Sequence, residues 1–233
     1  MMKITISRNA LQASLQHLSK GTPTRSTIPI LSHVLFLARE NELELRATDL
    51  EITVVTIISA SIEGEGSIAI PHRTLMDITN ALPETEISIE VINESRIIIQ
   101  TSFGSYDIAG SEPEDYPSMP EVDNKKEIKI SSSTLKRIID KTSFALSSDE
   151  LKPSLMGALL EVRPDKISSI ATDGHRLSVC ARRDFTSAGY EGNVIIPKKF
   201  LGLVLSYSSI SFKLTYLFVP TETSISFPEN SQG

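Results

Sequence analysis

This 233-residue chain has one cysteine, Cys180. That excludes an internal disulfide and most cysteine-built metal sites. Its four histidines, His17, His33, His72 and His175, are scattered, and no zinc-binding spacing appears. Neither common glycine-rich phosphate loop is present, so nucleotide chemistry has no visible seat, and neither a metal nor another cofactor is expected. No apolar run approaches the length needed to span a bilayer. The opening Met1-Met2-Lys3-Ile4-Thr5-Ile6 alternates polar and apolar residues, unlike the apolar block of a signal peptide. A cytoplasmic protein without membrane attachment is the expectation. Positive charge is also short, with 23 Lys and Arg against 29 Asp and Glu for a net −6. Such a balance counts against a nucleic-acid partner unless the charge is unevenly distributed.

What is present suits one or two globular domains, with 40% hydrophobic and 22% charged residues. The chain also repeats itself. Ala47-Thr48-Asp49 returns as Ala171-Thr172-Asp173, a shift of 124 residues. The same shift carries Ile4, Ile6 and Ser7 onto Ile128, Ile130 and Ser131, and Pro29 and Leu31 onto Pro153 and Leu155. Ile70-Pro71 before Leu75 returns as Ile196-Pro197 before Leu201 at a shift of 126, which a two-residue loop insertion explains. Four matches in one order indicate a duplicated domain, expected over 1–122 and 123–233.

Each copy reads as strand, helix, loop, strands, helix, strands. Leu11, Leu15 and Leu18 mark one apolar face of a helix over 8–19, and Leu75, Ile78, Ala81 and Leu82 mark another over 72–82, closed by Pro83. Strands are expected over 31–38, 42–47, 51–59, 67–70, 86–91, 96–101 and 105–109. The polar, proline-containing stretch 111–126 reads as the linker. The second copy repeats the order, with a helix over 133–146 packing Leu135, Ile138, Ile139 and Phe144, a helix over 197–206, and two final strands over 210–218 and 223–227. The counterpart of the strand 105–109 is missing, which would expose a sheet edge. The fold class expected is α+β, each repeat with two helices on antiparallel sheets.

Charge follows this organisation. Residues 8–25 hold Arg8, Lys20 and Arg25 and no acid, 72–82 hold Arg73 and Asp77, 132–146 hold Lys136, Arg137 and Lys141 against Asp140, and 197–208 hold Lys198 and Lys199. The helical segments are therefore +7 and the remainder −13. Helices sharing one side of the sheets would make that side basic and orient a polyanion against it without base reading. Solvated helix faces that simply collect Lys and Arg give the same count.

The segment Ala171-Thr172-Asp173-Gly174-His175-Arg176-Leu177 is where the second copy departs from the first, Asp49-Leu50-Glu51 giving way to glycine, histidine and arginine beside Leu177. With Leu155 on a neighbouring strand, this is either an apolar patch rimmed by donors, suited to a short peptide, or a tight turn in which Gly174 supplies an unusual backbone angle. Asp173, His175 and Cys180 do not make a nucleophile group, because strand alternation places His175 and Cys180 on opposite faces. No catalytic residue is expected.

These residues also carry a resemblance. Ile28-Pro29-Ile30-Leu31, Ala47-Thr48-Asp49-Leu50-Glu51, Ile70-Pro71, Asp115-Tyr116-Pro117, Ser148-Asp149-Glu150 through Pro153 and Gly157, and Ala171 through Leu177 run in one order from residue 3 to about 200. In that order they resemble the bacterial DNA sliding clamp, the β subunit of the replicative DNA polymerase III. The resemblance implies a non-catalytic ring of three-domain subunits around duplex DNA that tethers the polymerase, clamp-loader subunits and other proteins through short peptides. It implies DNA contacts at Arg25, Arg73, Lys136, Arg137, Lys141, Lys198 and Lys199. It places half of a peptide pocket at Leu155, Thr172, Gly174, His175, Arg176 and Leu177, and a subunit edge at Phe103, Ser105, Tyr106 and Ile108. The third domain has no counterpart here, and the match fades from about Leu203, so a peptide-binding adaptor that does not encircle DNA is the alternative.

Overall fold

The computed structural model describes all residues except 1, 24–25, 94, 119–125, 150, 188–190, 207–212, 217–222 and 227–233. The chain forms two compact units, Met1–Glu121 with Val219–Gly233, and Val122–Phe218.

The first unit runs β1 (Met2–Ser7), α1 (Arg8–Leu18), β2 (His33–Arg39), β3 (Glu42–Thr48), β4 (Ile52–Ser59), β5 (Ser61–Glu63), β6 (Gly66–Pro71), α2 (His72–Ala81), β7 (Glu86–Asn93), β8 (Arg96–Thr101) and β9 (Gly104–Ala109). One sheet has the order β5-β1-β7-β8-β9, and the other joins β4-β3-β2-β6. Period-2 alternation decides which face of each is buried. Val34, Phe36 and Ala38 of β2, Leu43, Leu45 and Ala47 of β3, and Ile68 and Ile70 of β6 are buried, on the side where α1 packs over β3 and β4 and α2 over β2 and β6. The helices lock to each other as well. Arg8 Nε donates to Thr79 O at 2.8 Å, Gln12 Nε2 to Asn80 Oδ1 at 2.6 Å, and the His72 ring shares a 2.9 Å bond with Leu15 O. Arg8, counted among the basic helix residues, is thus tied to α2.

The opposite face of the second sheet is covered by the chain that follows β9. Ser111 exchanges two backbone hydrogen bonds with Ala69 on the β6 edge, 3.1 and 2.8 Å. A short helical turn at Pro113–Asp115 then delivers Tyr116, whose ring packs with Leu35 and Ala69 and against Ile30 and Leu37. Its hydroxyl donates to Arg46 O at 3.1 Å, and burial pushes the phenol pKa well above its ordinary value. The linker expected from sequence is therefore, in this part, a lid on the sheet.

The second unit runs β10 (Lys126–Lys129), α3 (Ser132–Asp140), β11 (Gly157–Arg163), β12 (Lys166–Thr172), β13 (Leu177–Arg182), β14 (Gly192–Pro197), α4 (Lys198–Ser206) and β15 (Lys213–Tyr216). Its four-stranded sheet has the order β13-β12-β11-β14, and β10 pairs with β15. The repeat has a structural cause at each matched position. Ser7 and Ser131 both cap a helix, their hydroxyls accepting from the N–H of Ala10 and Thr134 at 3.2 Å. Pro29 and Pro153 both open a single helical turn, where a missing N–H costs nothing.

Three expectations change. The helix expected over 133–146 stops at Asp140. Thr142, fully buried, turns its hydroxyl back to Ile138 O at 2.9 Å and to Ser169 Oγ at 2.7 Å, and Phe144 emerges 60% exposed instead of packed. On α2 the expected face of Leu75, Ile78, Ala81 and Leu82 differs from the observed one, with His72 and Thr79 buried beside Leu75, Ile78 half-buried and Ala81 exposed. The strand expected over 223–227 of the second repeat is observed as β16 (Thr223–Ser226), but it pairs in parallel with β4 of the first unit.

Candidate nucleic-acid interface and peptide pocket

The basic positions lie on the solvent side of helices whose other side is core. Leu135, Ile138 and Ile139 bury one stripe of α3, leaving Arg137 exposed, Lys136 half-buried, and Lys141 exposed at the helix C-terminus. Phe200, Leu201 and Leu203 anchor α4, and Lys198 and Lys199 open it as exposed residues. The two helices pack together over the sheet, α3 on β12 and β13 and α4 on β14. In the first unit, His72, Leu75 and Thr79 are the buried stripe of α2 and Arg73 is exposed. Arg25 lies outside the described residues. Among the described residues, no ion pair engages Arg73, Lys136, Lys141 or Lys198. Their charge is therefore not spent on neighbouring carboxylates, which is what a phosphate-facing surface requires.

The segment 171–177 is a tight turn, and the same turn exists in the first copy. In each, a threonine hydroxyl and an aspartate carboxylate take up the backbone donors. Thr48 accepts from Leu50 N and donates to Ile52 O, while Asp49 Oδ1 accepts from Glu51 N and Ile52 N. Thr172 accepts from Gly174 N at 3.1 Å and donates to Arg176 O at 2.8 Å, while Asp173 Oδ1 accepts from His175 N and Arg176 N at 3.0 Å each. The residue between must adopt a positive φ, 74° at Leu50 and 92° at Gly174. Glycine takes that angle without strain, whereas Leu50 bears it.

The second turn does more than reverse the chain. Asp173 Oδ2 also accepts from Arg176 Nε at 2.8 Å, and the guanidinium lies 5.8 Å from the centre of the Phe144 ring, within cation–π range. Thr172 ends β12 opposite Leu177, the first residue of β13. Leu155 closes the helical turn leading into β11, the antiparallel neighbour of β12. Leu155, Thr172 and Leu177 are thus brought to one end of one sheet, with His175 and Arg176 in the exposed turn beside them. Leu177 is 66% exposed. The segment is a tight turn, and it sets the exposed Leu177 beside a cation fixed by Asp173. Phe144 belongs to this surface, and the sequence hid it because its spacing matches the apolar stripe of α3.

The Asp173 carboxylate is bound to the turn and to Arg176. Those bonds, first the N–H of Arg176, then that of His175, lower its pKa from 3.8 to about 2. A depressed carboxylate stabilises the fold in full above its unfolded value, and the contribution is lost as pH falls through the folded value. The turn is expected to hold above about pH 4 and to loosen between there and pH 2. Carboxyl-detected NMR should place the Asp173 midpoint near 2, and a midpoint at the ordinary aspartate value would refute the assignment of these bonds.

The third group expected from sequence sits on or beside β9, the last strand of the first sheet among the described residues. Phe103, 62% exposed, lies in the turn between β8 and β9. Ser105 is exposed and Tyr106 and Ile108 are half-buried, the latter two opposite the core residues Ile99 and Ile97.

Residues 2–120 match the family described as the DNA polymerase III beta subunit, N-terminal domain, and residues 129–207 match its central domain. The chain belongs to the DNA polymerase III beta subunit family. Among curated beta sliding clamps, that of Pseudomonas aeruginosa is 33% identical over 200 residues, 85% of this chain and 54% of the relative. The solved P. aeruginosa clamp aligns with a TM-score of 0.83 at 31% identity, covering 93% of this chain and 59% of that one. The Bacillus subtilis clamp aligns at 0.85 and 28%, covering 92% and 59%. The chain spans about half the length of the curated beta subunits it matches. Among its described residues no helix is long and apolar enough to cross a membrane.

Proposed function

We propose that the chain is a processivity clamp component of bacterial DNA replication. Its exposed helix cations hold duplex DNA without reading sequence, and the Leu155, Thr172 and Leu177 surface, with Gly174, His175 and Arg176, docks clamp-binding peptides of the polymerase and clamp loader. No step of this function needs a catalytic residue of its own. The observation that carries the reading is that helices with buried apolar stripes turn Arg73, Lys141 and Lys198, free of described ion pairs, to solvent, in a chain of the beta subunit family. Contacts to phosphate position without specifying, which is the chemistry of a track. The free edge at Phe103, Ser105, Tyr106 and Ile108 is where a neighbouring subunit would pair.

A second reading is a peptide-binding adaptor that does not encircle DNA, supported by the exposed Leu177 beside the fixed Arg176. Retention on circular duplex separates the two. A clamp stays on the closed circle at high salt and leaves when the DNA is cut, because the link is topological. An adaptor washes off both at the same salt.

A further inference from the structure

The cations on the helices of the second unit have a companion on its sheet. Ile167 and Ser169 of β12 face the helices: Ile167 is fully buried, and Ser169 Oγ shares a 2.7 Å bond with Thr142 just beyond α3. On β13 their register partners are Arg182 and Cys180, and paired residues point to the same side of a sheet. Ser178, which alternation puts on that side as well, donates to Lys141 O at the end of α3 at 2.7 Å. Arg182 is therefore a sheet residue on the helix side of the unit, its side chain 29% exposed. The fold does not require a cation there. The shift of 124 residues carries Arg182 onto Ile58 and Asp184 onto Ala60, and Ile58 keeps the same register, opposite Leu43.

The partner of Arg182 is Asp184. Arg182 Nε donates to Oδ1 at 2.8 Å and Nη2 to Oδ2, the two-pronged fit that a guanidinium makes with a carboxylate or with a phosphate. The Asp184 side chain is 64% exposed, and an exposed ion pair contributes little to stability. A phosphate can take the place of this carboxylate at small cost. Asp184 also feels the track. Its carboxyl pKa is lowered first by the hydrogen bond from Arg182, and the charge of Arg137 on α3 adds to the effect. Arg137 is itself exposed and makes no ion pair among the described residues. One carboxylate thus lies within the field of two guanidinium groups, one from the sheet and one from the helix.

We propose that Arg182 is a further phosphate-binding residue of the α3 surface and that Asp184 is its built-in competitor, holding the guanidinium until a DNA phosphate displaces it. This rests on the reading of α3 as a DNA-facing helix. A phosphate met at Arg182 is exchanged for a carboxylate instead of for water and small ions, so the net gain is small. It is also the same at every phosphate along the duplex, because the contact carries no base information. Both properties suit a grip that must let the duplex move. Asp184 therefore sets the strength of the contact, and removing its charge releases a cation already in place.

The test measures the affinity of the full 233-residue chain for a fluorescently labelled duplex by anisotropy across a range of salt. Asp184→Asn, altered at an exposed position, is expected to bind about fourfold more tightly near physiological salt, the worth of one phosphate contact. Its slope of log affinity against log salt should be steeper by about 0.9. In an Arg182→Ala background the same Asn substitution should leave the slope unchanged, since no guanidinium remains to be released. Equal gains in both backgrounds would mean that Asp184 merely repels the duplex, and overturn the proposal. So would an Asp184→Asn variant that binds as the parent does, in a chain whose affinity still falls when Lys136, Arg137, Lys141 and Lys198 are replaced. Absence of duplex binding in the parent and in Asp184→Asn alike would instead remove the reading of α3 on which the proposal rests.

Discussion

Replacing Lys136, Arg137, Lys141 and Lys198 together by alanine is expected to weaken duplex binding about 100-fold near physiological salt. Non-specific binding of roughly 10⁻⁴ to 10⁻⁶ M through about six to ten phosphate contacts corresponds to about 0.8 kcal/mol per contact, so four contacts amount to about 3 kcal/mol. The salt dependence is the sharper measurement. Each phosphate contact contributes about 0.9 to the slope of log affinity against log salt, so the variant's slope should be shallower by roughly 3.6. Arg137, Lys141 and Lys198 are exposed and Lys136 half-buried, and surface substitutions change stability by about 0.5 kcal/mol or less each, so calorimetry of the variant checks that it is folded. Lost affinity in a folded variant is therefore lost contact. An unchanged slope would mean that phosphates meet the chain elsewhere, and the α3–α4 surface would cease to be the track. The affinity should also fall equally for unrelated duplex sequences, because these contacts carry no base information.

The sequence made the repeat legible because the matched residues each do a backbone task that side-chain type alone dictates. A serine caps a helix, a proline opens a turn, and a threonine and aspartate saturate the donors of a tight reversal. Such tasks are local, so three or four letters reveal them. The buried stripe of α1 was legible for the same reason, by its spacing, whereas on α2 His72 and Thr79 are buried beside Leu75 while Ile78 is half-buried and Ala81 exposed. What stayed hidden was set at longer range. Phe144 continues the spacing of Leu135, Ile138 and Ile139, but the helix ends at Asp140, and Thr142 is held by Ile138 O and by Ser169 across the unit. Ser169 lies on a strand 27 residues away, and nothing in the spacing records that bond. The pairing of Thr223–Ser226 with β4 was equally invisible, since alternation identifies a strand and not its neighbour. The role of Tyr116 was half legible: Asp115-Tyr116-Pro117 marked the linker, but its cover over Leu35 and Ala69 depends on the outer face of a sheet that sequence places only approximately.

That cover yields a large expected stability effect. Tyr116→Ala removes a ring that is 6% exposed and uncovers Leu35 and Ala69, and deletions of buried aromatic side chains cost about 3–5 kcal/mol. For a unit of this size, about 4 °C per kcal/mol gives a fall of roughly 12–20 °C in the unfolding midpoint of the first unit. Tyr116→Phe keeps the ring and loses only the hydroxyl's bond to Arg46 O, a loss of about 1 kcal/mol. The gap between the two variants measures the packing, and differential scanning calorimetry of both against the parent resolves it. Equal losses would assign the stabilisation to the hydroxyl. Hydrogen exchange adds the location. The Ala69 and Ser111 amides, which bond to each other's carbonyls, should exchange faster in Tyr116→Ala, while the amides of the second unit's four-stranded sheet should exchange at their original rates. Unchanged exchange at Ala69 and Ser111 in Tyr116→Ala would show that the ring does not hold that edge.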